Sequence, residues 1–215
     1  MTEPLSCRGA LKGLWLVTVL LAGAAAEASA DEAVQFSISP FVGYRVGGDF
    51  RLSDTGQHIS LDDHDVLALA IDARADAGAE YEFFYSRQST DMRGNGFAPV
   101  RTVVEYVHVG GIVALADEGR FRPYFGGGLG ATRLSPGLAP GSSDTRFSLS
   151  LALGVRTALT EHFSLRLETR GYFTPISTDT ALFCRSDQGG AICRIRGRGS
   201  SLLQGDFLAG ATYAF

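Results

Sequence analysis

Long apolar runs are all but missing from this chain of 215 residues. The one present, Leu14–Ala26, falls short of the ~18–20 residues a spanning helix needs, so no membrane helix is expected. Cysteine is scarce, with Cys7, Cys184 and Cys193 only. There is no basic stripe, and the formal net charge of −4 argues against nucleic acid as a partner. A composition that is 45% hydrophobic and 20% charged gives no sign of disorder or of helical repeats, and the length suits one domain.

The short apolar run has a different explanation. Arg8 and Lys12 precede it, and Ala28-Ser29-Ala30 follows as a small-x-small cleavage site. That order of features is a secretory signal, so residues 1–30 are expected to be removed, leaving a domain over 31–215. Cys7 lies before the run, which excludes a lipid-attachment role, and it departs with the signal. Cys184 and Cys193 then form an even pair in an oxidising compartment, and a disulfide between them is expected to staple an exposed loop.

What the chain has in abundance is alternation. In Phe163–Phe173, Phe163, Leu165, Leu167, Thr169, Gly171 and Phe173 share one face, and Ser164, Arg166, Glu168, Arg170 and Tyr172 share the other. An aromatic-capped apolar face about 10 residues long, backed by charge, has the length of a tilted strand crossing a hydrocarbon layer. Eight such segments can be laid down: Val34–Val46, Leu67–Arg74, Tyr81–Arg87, Arg101–Ala116, Phe121–Thr132, Phe147–Leu159, Phe163–Phe173 and Leu202–Phe215. Pro40 suggests a bulge or a missing ladder bond in the first. The phase of the fourth is ambiguous, because placing Glu105 inside places His108 outside, and a bulge near Gly110-Gly111 would reconcile them.

The connections alternate long and short along the chain. Gly47–Val66, Gln88–Val100, Arg133–Arg146 and Thr174–Ser201 are long, while the links near Ala75–Glu80, Asp117–Arg120 and Thr160–His162 are tight. Tight turns at one rim and long loops at the other are the arrangement of an outer-membrane barrel. The fold expected is all-β, an eight-stranded antiparallel up-and-down transmembrane barrel with lipid outside and ion pairs inside.

Arg122–Ala131 (RPYFGGGLGA), Thr160–Phe173 (TEHFSLRLETRGYF) and the terminal Tyr213-Ala214-Phe215 resemble the small eight-stranded outer-membrane β-barrel family, of the OmpA transmembrane-domain type. The resemblance covers nearly the whole mature chain and implies location in the bacterial outer membrane. It also implies that Tyr213 and Phe215 belong to a signal read by the barrel-assembly machinery. Outer-membrane lipid, lipopolysaccharide, that machinery and periplasmic chaperones are the partners expected, and the protein is expected to be a monomer.

The inward face collects Arg45, Asp72, Arg74, Glu82, Glu105, Arg122, Arg156, Arg166, Glu168, Arg170 and Asp206. Buried charges must be paired, and eight strands enclose a lumen just wide enough for side chains to fill. A polar plug is therefore the preferred reading, with a gated narrow pore as the sharper one. The role preferred is a surface-exposed structural or interaction component, the alternative a narrow porin-like channel for small solutes, and behind both a lipid A-modifying enzyme. A lipocalin-like soluble carrier would need the apolar face inside. Arg185, Arg194, Arg196 and Arg198 beside the cysteines could grip lipopolysaccharide phosphates.

No cofactor, metal or catalysis is expected. His58 and Asp62-Asp63-His64-Asp65 lack the glycine and distal glutamate of an EF-hand. Gly126-Gly127-Gly128-x-Gly130 precedes neither a helix nor a Lys-Ser/Thr pair, and reads as glycines making room for bulky lumen neighbours. His162-x-Ser164 sits at a tight turn and His58-x-Ser60 in a loop, neither with a convincing third member.

Overall fold

A computed structural model describes residues 35–51, 58–76, 78–94, 97–116, 119–137, 143–176, 181–187, 190–196 and 201–215, and the expected signal segment lies outside them. The strands are β1 (Phe36–Gly47), β2 (Asp49–Arg51), β3 (His58–Leu61), β4 (His64–Asp76), β5 (Ala79–Gly94) and β6 (Phe97–Ala114), then β7 (Phe121–Pro136), β8 (Asp144–Ala158), β9 (Phe163–Pro175), β10 (Ala181–Asp187), β11 (Gly190–Arg196) and β12 (Ser201–Ala214). Eight of them close a ring. β1 pairs with β4, β4 with β5, and so on through β9, which pairs with β12, and β12 returns to β1, every pairing antiparallel.

Alternation sets apolar side chains on the outer wall of every barrel strand and charged ones on the inner face of most. Leu67, Leu129, Leu151, Leu153, Leu167 and Phe207 stand exposed on the outer wall, whereas Arg45, Arg166 and Asp206 are 0% exposed inside. A closed ring leaves no strand edge, which lets a sheet cross lipid with all its backbone groups paired. The start of β1, the end of β12 and the three short turns share one rim. Gly78 (φ 83°) and Gly119 (φ 104°) serve two of those turns, in a conformation that a side chain disfavours.

At the other rim the strands run on past the apolar band. β5 reaches Gly94 and β6 starts at Phe97, so most of the segment expected as a second long loop is strand. The β2–β3 hairpin adds to this extension through β3–β5 pairing, burying Ile59, Leu61 and Met92. β10 and β11 form a separate hairpin in the last long connection.

At Pro40 the second of the two expected outcomes is found: the β1–β12 register is the same before and after it, so no bulge forms, and the pairs at Ser39 and Pro40 are missing from that ladder. The expectation for β6 is corrected. β6 runs past Gly110-Gly111 without a shift, against β5 and β7 alike. Its phase is set by Thr102, Val104, Tyr106, His108 and Ile112, all buried inside. Glu105 therefore faces outward and does not belong to the lumen.

Candidate functional site: a charge-filled lumen

Arg166, on β9, occupies the centre of the lumen. Its Nε donates to Tyr124 Oη at 2.7 Å, Nη1 to Asp72 at 2.9 Å, and Nη2 to Glu82 at 2.7 Å and Glu168 at 2.8 Å. The phenol of Tyr124 in turn donates to Glu168 at 2.7 Å. Arg170, two inward positions along the same strand, bridges the same two glutamates, at 2.7 Å to Glu168 and 2.6 Å to Glu82. Its guanidinium lies 3.8 Å from the centroid of Phe84, and that of Arg166 lies between Phe41 and Tyr124. Five donor sites of a guanidinium suit such a multi-acid hub, which a lysine could not replace.

A second cluster adjoins it. Arg45 donates to both Asp206 oxygens, at 2.6 and 2.8 Å, and to Ser86 at 2.6 Å. It is covered by the stacked rings of Tyr106 and Tyr172, whose centroids are 3.9 Å apart. Tyr172 donates to Asp206 at 2.8 Å and Tyr106 to Gln204 at 2.8 Å. His108 stacks beside the two tyrosines and bonds Ser148 through Nε2 at 2.8 Å. A Cβ at Gly130 would meet the Val107 carbonyl and the His108 ring, so glycine there makes room for the imidazole.

Toward the short-turn rim the packing opens. Arg156 pairs with Glu80 at 2.9 Å and reaches Asp72 at 3.5 Å. Arg74 and Arg122 keep the inward phase but are exposed at the mouth. With Asp72, Glu80 and Arg156 they line a vestibule of about 250 Å³. Of the lumen residues expected from the pattern, the structure thus brings together Arg45, Asp72, Glu82, Arg156, Arg166, Glu168, Arg170 and Asp206, leaves Arg74 and Arg122 at the entrance, and puts Glu105 outside. Glu80, Tyr106, Tyr124, Tyr172, Phe41, Phe84 and His108 complete the interior. Tyr124 and Tyr172 share the period-two phase of the charges, a signal that already marked them as lumen residues.

The other sequence candidates are dispersed. Asp62 pairs with Arg93 at 2.6 Å, which holds that guanidinium above its ordinary range; Asp63 accepts the Gly47 N–H, and His64 accepts the Asp65 N–H. His162 stacks on Tyr213 at the short-turn rim while Ser164 points inward. The His108–Ser148 pair is buried, and His108 Nδ1 has no hydrogen-bond partner among the described residues, so no described carboxylate orients it. Tyr213 packs on Phe163 and Phe215. The backbone register sets Cys184 opposite Cys193; their side chains lie outside the described residues.

A closed antiparallel ring with an apolar outer wall and an ionic interior defines a transmembrane β-barrel. The profile of the family described as "Outer membrane protein beta-barrel domain" matches residues 16–215, and the chain belongs to that family. It is a protein of the bacterial outer membrane. Among solved structures it is similar to Neisserial surface protein A (14% identity, 86% of this chain and 100% of that one, TM-score 0.56). It is also similar to AlkL in lipid bilayers (12% identity, 100% and 97%, TM-score 0.55) and to the E. coli outer membrane protein W (14%, 86% and 99%, TM-score 0.52). These likenesses establish a shared fold. No curated protein matches the sequence.

Proposed function

We propose that the protein is a closed, charge-plugged outer-membrane component whose work is done at its exposed loops and outer surface. The observation that carries this is the Arg166 hub: one fully buried guanidinium tied to Asp72, Glu82, Glu168 and Tyr124 from strands around the ring. Opening a path through it would strand several charges at once, at roughly 3–5 kcal/mol for each partner removed. In this reading the β10–β11 hairpin is stapled by Cys184 and Cys193, Tyr213 and Phe215 serve assembly, and the barrel is a monomer without catalytic function.

A narrow channel is the second reading. It is favoured by three buried guanidinium nitrogens, Arg45 Nη1, Arg156 Nε and Arg170 Nη1, which have no hydrogen-bond partner among the described residues and could support exchange between acids. Planar-bilayer recording of the refolded protein tests the choice. A plug gives no ordered conductance in the wild type or in Arg166→Ala and Glu168→Ala. Discrete steps in the wild type that change size in those variants would overturn it.

A further inference from the structure

Charge on the outer wall is concentrated in one sector near one rim. Arg87 on β5, Glu105 on β6 and Arg133 on β7 point outward in a single cross-strand row, and Arg101 lies further toward the long-loop rim on β6. All three arginines are exposed, and among the described residues none makes an ion pair. Two acids share these strands, and a third, Asp65, stands exposed on neighbouring β4, one outward position beyond Leu67, the partner of Arg87. Glu105, between Arg87 and Arg133, accepts a hydrogen bond from Tyr85 at 2.8 Å, and Asp91 stands opposite Arg101, whose Nε donates to Ser89 at 3.0 Å. On β8, β9 and β12 the corresponding outward positions include Phe147, Phe173 and Leu203, which are apolar.

The level of this row decides what meets it. From Phe121, at the short-turn rim, to Arg133 the strand climbs about 30 Å at ~3.4 Å per residue and ~40° tilt. That exceeds the ~25 Å apolar band of an outer-membrane barrel, so Arg133 lies at head-group height in the leaflet on the long-loop side, which is the outer one. The row runs square to the tilted strands, so Glu105 and Arg87 step down by about 3 Å each and Arg87 stands at the upper edge of the band. Arg87 and Arg133 are two strands apart, about 10 Å, a gap two arginine side chains can close from either side. Below them Phe83, Val107 and Val109 stand exposed for acyl chains.

We propose that this sector is a docking site for a phosphate-bearing lipid of the outer leaflet, with its phosphate held between Arg87 and Arg133 and Arg101 engaging the head group above. Guanidinium forks match phosphate oxygens in charge and geometry. The site is independent of whether the lumen conducts.

Native mass spectrometry of the refolded full-length barrel, released from micelles, tests it with lipid A carrying its phosphates, the same lipid dephosphorylated, and inorganic phosphate. The wild type should retain the phosphorylated lipid at least about tenfold better than the dephosphorylated one, from the ~1 kcal/mol that each arginine contributes near an anionic surface. Arg87→Gln/Arg133→Gln should lose most of that preference, Arg87→Lys/Arg133→Lys should keep part of it, and Arg93→Gln should not change it. Equal retention of the two lipids by the wild type would overturn the site without reference to any variant. So would displacement of the lipid by inorganic phosphate, or an Arg93→Gln loss as large as that of the double variant.

Discussion

Arg45 and Asp206 stand directly opposite each other where the first and last barrel strands meet, joined by two hydrogen bonds of 2.6 and 2.8 Å and wholly shielded from solvent. The seam that closes the ring is thus held by backbone pairing and by a buried fork of guanidinium on carboxylate. Asp206→Ala would leave the guanidinium buried without its acid, and a loss of about 3–5 kcal/mol is expected. Arg45→Met/Asp206→Leu should recover much of it, since an apolar pair of similar volume carries no stranded charge. Urea unfolding in lipid vesicles measures both.

Tyr124 is both acceptor and donor, taking a hydrogen bond from Arg166 and giving one to Glu168. It fits against the wall only because residue 154 is glycine: a Cβ there would run into the phenol end of the ring. Tyr124→Phe should cost about 1–3 kcal/mol, the range for leaving buried polar partners unsatisfied. Gly154→Ala should cost more, because it displaces the ring as well as its hydroxyl. The temperature of the heat-induced gel shift should fall in that order.

Glu105 and Glu168 form a natural pair of controls. Glu168 is buried between Arg166 and Arg170, whereas Glu105 lies outside at head-group height. Glu168→Gln is expected to destabilise by several kcal/mol. Glu105→Gln should fall within about 1 kcal/mol, the range for charge changes near the interface. Comparable unfolding midpoints for the two would mean that one of the carboxylates is misplaced.

The phase of most strands could be read directly from sequence, because one face of each is apolar and the other carries arginines, acids or small residues. β6 defeated that rule for a physical reason. Val107, Val109 and Val113 face lipid, yet Val104, Tyr106 and Ile112 face the lumen, so both faces are apolar and a lone Glu105 is a poor guide. The lumen accepts such residues because Tyr106 and Tyr172 cover Arg45 as well as filling space. Strand ends were misjudged on similar grounds. Beyond the lipid, outward positions no longer need to be apolar, so the alternation fades at Gln88–Val100 although the ladder of β5 and β6 continues. The partners of each charge lie far apart in the chain, as Asp72 and Arg166 do, and only ring closure brings them together.

The outer wall offers the sharpest test of the inverted arrangement, because in lipid the cost of a charge depends on depth. Leu151 and Leu159 point outward from β8 and its following turn with similar exposure, 62% and 57%. In water an arginine at either position would be nearly neutral. In a bilayer, Leu151 lies within the apolar band and Leu159 at its rim beside Phe163. Leu151→Arg should therefore cost about 2–4 kcal/mol and Leu159→Arg about 0–1 kcal/mol. Reversible unfolding from vesicles measures each value, and equal small costs at both depths would show that acyl chains do not surround this wall.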